Sequence, residues 1–155
     1  MMSLIGALGA PGTGKTTAML QTAYYFKMMG VACEFMPEPA RYVIDTLGYA
    51  DQALIARLEQ ENIDRAKAHP DRIFLTDSGI YHGQFYGGPV HGAQDYDLVV
   101  YFDERYSTGP DSGRIHTPEQ SDVISERMAE FARNLPNCVT ISELRGQKPQ
   151  KLVLR

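Results

Sequence analysis

The sequence predicts an α/β fold, a five-stranded parallel sheet with helices on both faces. Five short apolar runs, Leu4–Leu8, Val31–Met36, Ile73–Thr76, Leu98–Phe102 and Val139–Ile141, each have the length of a buried strand. Helix-length segments separate them, and strands that alternate with helices pair in parallel. The first run leads directly into GAPGTGKTT, Gly9 to Thr17, a glycine-rich turn placed between a strand and a helix.

Each element follows from local chemistry. The first helix opens at Gly14 or Lys15, carries Ala18, Thr22, Phe26 and Met29 toward the sheet and ends near Gly30. A second helical region runs from Ala40 to Ala68, interrupted around Gly48 to Asp51, with Asp51 capping its second piece. Gly83 to Gln94 holds four glycines and a proline and reads as a loose stretch. Asp103 to Pro118 is rich in Gly, Ser, Pro and charge with little apolar material to pin it, so a mobile lid is expected there. Thr117-Pro118-Glu119-Gln120 starts the last long helix: threonine caps, proline fits the first turn and Gln120 completes a capping box. Val123, Met128, Phe131 and Leu135 give that helix an apolar face as far as about Asn134. The tail after Glu143 is too short to assign.

At 155 residues the chain suits one domain, 1–155, with a sizeable core. Its formal charge of −4 is spread without a basic block, so no footprint for gripping long duplex DNA is visible. Cys33 and Cys138 lack metal-like spacing and read as two buried thiols of a reducing compartment. Neither a signal peptide nor a membrane-length apolar run is present, which predicts a soluble, cytoplasmic protein.

The glycine-rich turn meets the pattern G-x-x-x-x-G-K-[ST] in full, from Gly9 to Thr16. Its glycines let the backbone curl so that successive N–H groups face an anion, and the helix start adds partial positive charge. Gly9, Pro11, Gly12, Thr13, Gly14, Lys15, Thr16 and Thr17 are therefore the expected nucleotide-binding residues. Lys15 would reach the β- and γ-phosphates of ATP, and the Thr16 hydroxyl would bind Mg²⁺. This motif makes the fold a P-loop NTPase three-layer sandwich. Asp77 ends an apolar strand at the sheet's carboxyl edge, where ligands of open α/β sheets bind, and is the second expected Mg²⁺ residue.

The acceptor of the phosphoryl group has its own signals. In Phe35-Met36-Pro37-Glu38-Pro39-Ala40-Arg41-Tyr42, the residue before a proline is kept extended, so Glu38 should face the crevice while Pro39 starts a helix with Arg41 in its first turn. Glu38 could then accept or orient a hydroxyl proton, and Arg41 could neutralise anionic charge. Arg105, Arg114 and Arg127 lie in or just beyond the lid; Arg114, after Gly113, is the chosen phosphoryl-contacting arginine.

Three classes of P-loop protein compete. A GTPase would need an N-K-x-D guanine reader and a D-x-x-G switch after the aspartate-bearing strand, and neither occurs. A motor-type ATPase would need a longer chain with a helical lid domain. The kinase class accounts for Glu38 and Arg41.

The order GAPGTGKTT, EPAR, FLTDSGIYHGQFYGG, YDLVVYF and DSGR resembles the small P-loop kinases of the NadR type, the ribosylnicotinamide kinases and their AAA_28 relatives, over nearly the whole chain. The resemblance implies site roles for Glu38, Arg41, Asp77 and Arg114. EPAR is also similar to the glutamate-bearing motif of deoxynucleoside kinases, in which that glutamate is the base; Ser78 stands where those enzymes carry an arginine. Phage-type kinases that phosphorylate 5-hydroxymethyluracil in DNA share the architecture.

Tyr42, Tyr81, His82, Phe85, Tyr86 and His91 are expected near the acceptor side, where aromatic rings could stack a base or pyridine ring and Gln84 could bond its edge. The sequence thus leads to ATP and Mg²⁺ as cofactors and a nucleoside-like acceptor, with DNA carrying a modified pyrimidine as an alternative. A nucleoside monophosphate kinase would need a second anion site, for which Arg41, Arg57 and Arg65 are the candidates.

Overall fold

The computed structural model describes residues 4–104 and 117–146. Its centre is a parallel five-stranded sheet made of β1 (Leu4–Leu8), β2 (Cys33–Met36), β3 (Ile73–Thr76), β4 (Leu98–Tyr101) and β5 (Cys138–Thr140) in the order β2-β3-β1-β4-β5. Each predicted apolar run forms a strand within two residues of its expected ends. All of β1 is buried, as a central parallel strand covered on both faces must be. The predicted lid, with Arg105 and Arg114, lies outside the described residues apart from its two ends.

Helices α1 (Lys15–Met28), α2 (Pro39–Leu47), α3 (Gln52–Ala68), α4 (Pro118–Arg133) and α5 (Ile141–Gly146) flank the sheet. Two cores result. On one face Met19 and Ala23 of α1 pack with Ile5, Ala7, Leu75 and Phe102. On the other, Ile63 of α3 and Ile124 and Met128 of α4 pack with Leu4, Leu8, Phe74 and Val99.

The capping predictions fit the backbone. Asp51 accepts from the Leu54 N–H at 3.0 Å, and Thr117 and Gln120 form a reciprocal capping box. Facing helical positions differ in places. Met19 and Ala23 are the buried positions of α1, whereas Met29 caps its C-terminus and is exposed. In α4, Ile124 and Met128 are buried while Val123 faces outward. The Gly83–Gln94 stretch begins inside a 3-10 helix, Ile80–Tyr86, closed by Gly87 at φ 81°. Ile141, expected to end the last strand, instead opens a short helix, Ile141–Gly146, that continues into the tail after Glu143. Cys33 and Cys138 are both free thiols; Cys33 is buried and Cys138 only partly so.

Candidate active site

Strand order sets the site. β1 and β2 both pair with β3, and Gly6 and Met36 lie opposite Thr76 in the register. The segments leaving the three strands therefore emerge side by side at the carboxyl edge: the Gly9–Lys15 loop, the Pro37-Glu38 corner and Asp77. The Asp77 N–H donates to the Met36 carbonyl at 3.0 Å, which ties the third segment to the second.

The loop takes the conformation its glycines permit. Gly12 and Gly14 have φ of 81° and 79°, a region L side chains avoid. Gly14 is the N-cap of α1, so Lys15 and Thr16 occupy the first turn, where unsatisfied N–H groups and the helix dipole favour an anion. Thr13 Oγ1 donates to the Ala10 carbonyl at 2.9 Å, and Lys15 Nζ donates to the Gly9 and Ala10 carbonyls at 2.8 and 3.2 Å. Pro11, Gly12, Thr13, Gly14, Lys15, Thr16 and Thr17 line a cavity of about 630 Å³; Gly9, also expected to bind nucleotide, is not among the lining residues.

Glu38, Arg41 and Asp77 line the same cavity. Glu38 is extended at φ −63°, ψ 117° and precedes Pro39, the first residue of α2, as expected of a residue held before proline. Burial raises the Glu38 pKa; the charge of Lys15 opposes that rise, Asp77 adds to it and Arg41 opposes it. These four side chains thus feel one another across the cavity.

Thr16 Oγ1 donates to Asp77 Oδ2 at 2.6 Å. Asp77 Oδ1 is buried and has no hydrogen-bond partner among the described residues. A hydroxyl and a carboxylate with a spare oxygen could hold a hard divalent cation. No cluster of three metal-ligating side chains occurs among the described residues, so the other ligands would be water or phosphate, the usual habit of Mg²⁺.

Two residues gain an importance that the motifs did not indicate. Glu59 of α3 lines the cavity yet is 2 % exposed; Ser78 Oγ donates to its Oε1, and its Oε2 has no hydrogen-bond partner among the described residues. Burial pushes its pKa up to about 8, with the Ser78 hydrogen bond opposing and Glu38 and Asp77 adding to the rise. The available signal was an acid on the buried stripe of α3, with Ile55, Ile63 and Ala66. His82 Nε2 lies 3.2 Å from the Gly9 carbonyl, which can only accept, so that nitrogen carries the hydrogen and Nδ1 is left as an acceptor with no partner among the described residues. Burial, aided by the Lys15 charge, pulls the His82 pKa down to about 3.

The expected aromatic cluster divides. His82, Tyr86 and His91 line the cavity. Tyr81 is fully buried, its hydroxyl donating to the Ala7 carbonyl at 3.2 Å, and Phe85 packs edge-on against Phe131, so both belong to the core. Tyr42 is 67 % exposed and does not line the cavity. The Gln84 amide is committed to the Tyr81 and His91 carbonyls. Arg127 lies over the Phe85 ring and donates to the Gln84 carbonyl, while Arg57 and Arg65 pair with Glu61 and Glu34 away from the cavity lining.

A second cavity of about 430 Å³ lies on the other side of the loop, between Thr13, Thr17 and Gln21 on one wall and Phe102, Leu144 and Arg145 on the other. Thr13, Gly14 and Thr17 border both cavities.

No family model and no curated protein matches the chain. Solved structures with the same fold include deoxyadenosine kinase from M. mycoides with the products dCMP and a flexible dCDP bound, at TM-score 0.57 and 15 % identity over 89 % of each chain. The same enzyme with bound dATP aligns at TM-score 0.59 and 14 % identity, covering 91 % of this chain and 90 % of that one. The five-stranded parallel sheet with its flanking helices is therefore the P-loop kinase fold of these neighbours.

Proposed function

We propose that the protein is an ATP-dependent kinase that transfers the γ-phosphoryl group to a hydroxyl of a nucleoside-like acceptor. The observation that carries this reading is the shared cavity: the phosphate loop with Lys15 forms one wall, and Glu38 lies at the head of α2 on another. The second cavity, across the loop, offers room for the adenosine part of the donor, leaving the first for the acceptor.

In the proposed transfer the acceptor oxygen attacks the γ-phosphorus in line, the bond to the β–γ bridging oxygen breaks, and ADP leaves. Glu38 takes the hydroxyl proton, and its burial raises its affinity for that proton. Lys15 and Arg41 offset the charge on the phosphoryl oxygens. Mg²⁺, held by Thr16 and Asp77, would supply further charge neutralisation when bound. The likeness in fold to a deoxyadenosine kinase supports a nucleoside as the acceptor class. Of the three arginines that could hold the phosphate of a monophosphate acceptor, Arg57 and Arg65 are paired away from the cavity and Arg41 lines it.

The test is γ-labelled ATP with Mg²⁺ and a panel of deoxynucleosides, ribosylnicotinamide, monophosphates, plain DNA and DNA containing 5-hydroxymethyluracil. Label on a nucleoside, dependent on Lys15 and Glu38, is the expected result. Label on the modified DNA alone would select the polymer-acceptor alternative. Label released only as free phosphate would replace the kinase with a regulatory ATPase.

A further inference from the structure

The acceptor cavity holds a polar group that the phosphoryl transfer above does not use. Along α3, Gln52, Ile55, Ala56 and Glu59 occur at the spacing of one helical face, and all four line the cavity. Glu59 is the polar residue at the inner end of this wall. Ser78 Oγ fixes one carboxyl oxygen, and the other is buried without a partner among the described residues. A buried carboxyl oxygen left unbonded is costly unless a ligand completes it.

We propose that Glu59 is a specificity-determining residue of the acceptor site, presenting a protonated Oε2 that donates a hydrogen bond to a carbonyl oxygen or unprotonated ring nitrogen of a nucleobase-like ring. This inference rests on the nucleoside kinase reading for the identity of the cavity. Glu38 and Asp77 border the same cavity, and buried Tyr81 and Tyr96 feel its charge. Three carboxyl groups around one cavity cannot all ionise cheaply, and Glu59 is the most enclosed of them. Its pKa near 8 agrees.

A neutral carboxyl donor has a close substitute in the glutamine amide, and this makes the idea testable. Wild-type protein, Glu59→Gln and Glu59→Ala are compared by thermal melting with and without millimolar deoxyadenosine, deoxycytidine, thymidine, deoxyguanosine or ribosylnicotinamide, and by acceptor KM. The nucleoside that raises the wild-type melting temperature should stabilise Glu59→Gln similarly and Glu59→Ala little. Acceptor KM should remain within about threefold in Glu59→Gln and rise at least about tenfold in Glu59→Ala, with the KM for ATP unchanged in both. Equal stabilisation of Glu59→Ala, loss of stabilisation in Glu59→Gln, or no stabilisation of the wild type by any of the five compounds would overturn the proposal. Stabilisation in the expected pattern without label transfer would instead overturn the kinase reading alone.

Discussion

The Thr16 hydroxyl and the Asp77 carboxylate meet at 2.6 Å, joining the first turn of α1 to the end of β3 across 61 positions of sequence. That contact exists because β1 and β3 are neighbours in the sheet, so residues a short step beyond each strand share one edge. It leaves Asp77 Oδ1 buried and without a hydrogen-bond partner among the described residues, in a residue that lines the cavity. Asp77→Asn keeps the shape and removes the charge. It should raise the Mg²⁺ concentration needed for half-maximal turnover by about tenfold or more, while the melting temperature without metal stays equal or rises. A magnesium titration of initial rates checks this; an unchanged midpoint would remove Asp77 from the metal site.

Lys15 spans the loop through two carbonyl hydrogen bonds. Its ammonium is thus kept at the mouth of the ring of backbone groups that should receive phosphates. Lys15→Ala should lower phosphoryl transfer by at least about a hundredfold, the scale seen on removing a preorganised charge-stabilising donor. Turnover near that of the wild type would refute the phosphate-loop assignment.

Glu38 stands apart from the loop on the Pro37–Pro39 corner, which fixes its backbone before α2 begins. Glu38→Gln should cut kcat by roughly a hundredfold or more, with ATP affinity preserved because the phosphate loop is untouched. Equilibrium ATP binding beside single-turnover rates separates the two effects. If kcat is retained, Glu38 is only a structural corner.

Sequence made the frame legible where a local rule acts alone. The strands were visible as apolar runs, Asp51 and Thr117 as caps, and Glu38 as an extended residue because the following proline allows little else. The limits were tertiary. Whether Tyr81 or His82 faces the cavity depends on the 3-10 helix between β3 and β4, which a glycine-containing stretch does not announce. Glu59 shares the helical stripe of Ile55, Ile63 and Ala66, but only the packing of α3 against Ser78 makes it a hydrogen-bonded buried acid. Arg57 and Arg65 were plausible anion ligands by composition, yet each finds a carboxylate closer to hand.

Gly6 provides a test of the packing beneath the site. It lies midway along β1, and an added Cβ would overlap the Tyr81 hydroxyl and approach the Tyr96 ring to 2.7 Å. Tyr81 is fully buried and anchored to the Ala7 carbonyl, so it has little room to withdraw. Gly6→Ala should destabilise the protein by about 1–3 kcal/mol, the usual cost of overpacking. Urea unfolding measures the difference, and a change below about 0.5 kcal/mol would mean that the tyrosine pair repacks freely.

Glu59 and His82 impose opposite pH dependences on folding. Glu59 titrates near 8 in the folded protein against an ordinary 4.5, so between these values the native state binds more protons than the unfolded chain, and stability falls as pH rises. His82 titrates near 3 against an ordinary 6.5, so across that interval the unfolded chain binds more protons, and stability rises with pH. From 4.5 to 6.5 the two slopes oppose each other; above 6.5 only Glu59 of this pair contributes, and below 4.5 only His82. Each uncompensated slope approaches about 1.4 kcal/mol per pH unit. Urea unfolding of wild-type protein and Glu59→Gln at pH 6.5, 7.25 and 8 reads the alkaline arm directly. The wild type should lose stability relative to the variant across this range, because glutamine has no proton to give up. Parallel curves would mean that Glu59 is already ionised at neutrality, and the hydrogen bond it offers to an acceptor would then run in the opposite direction.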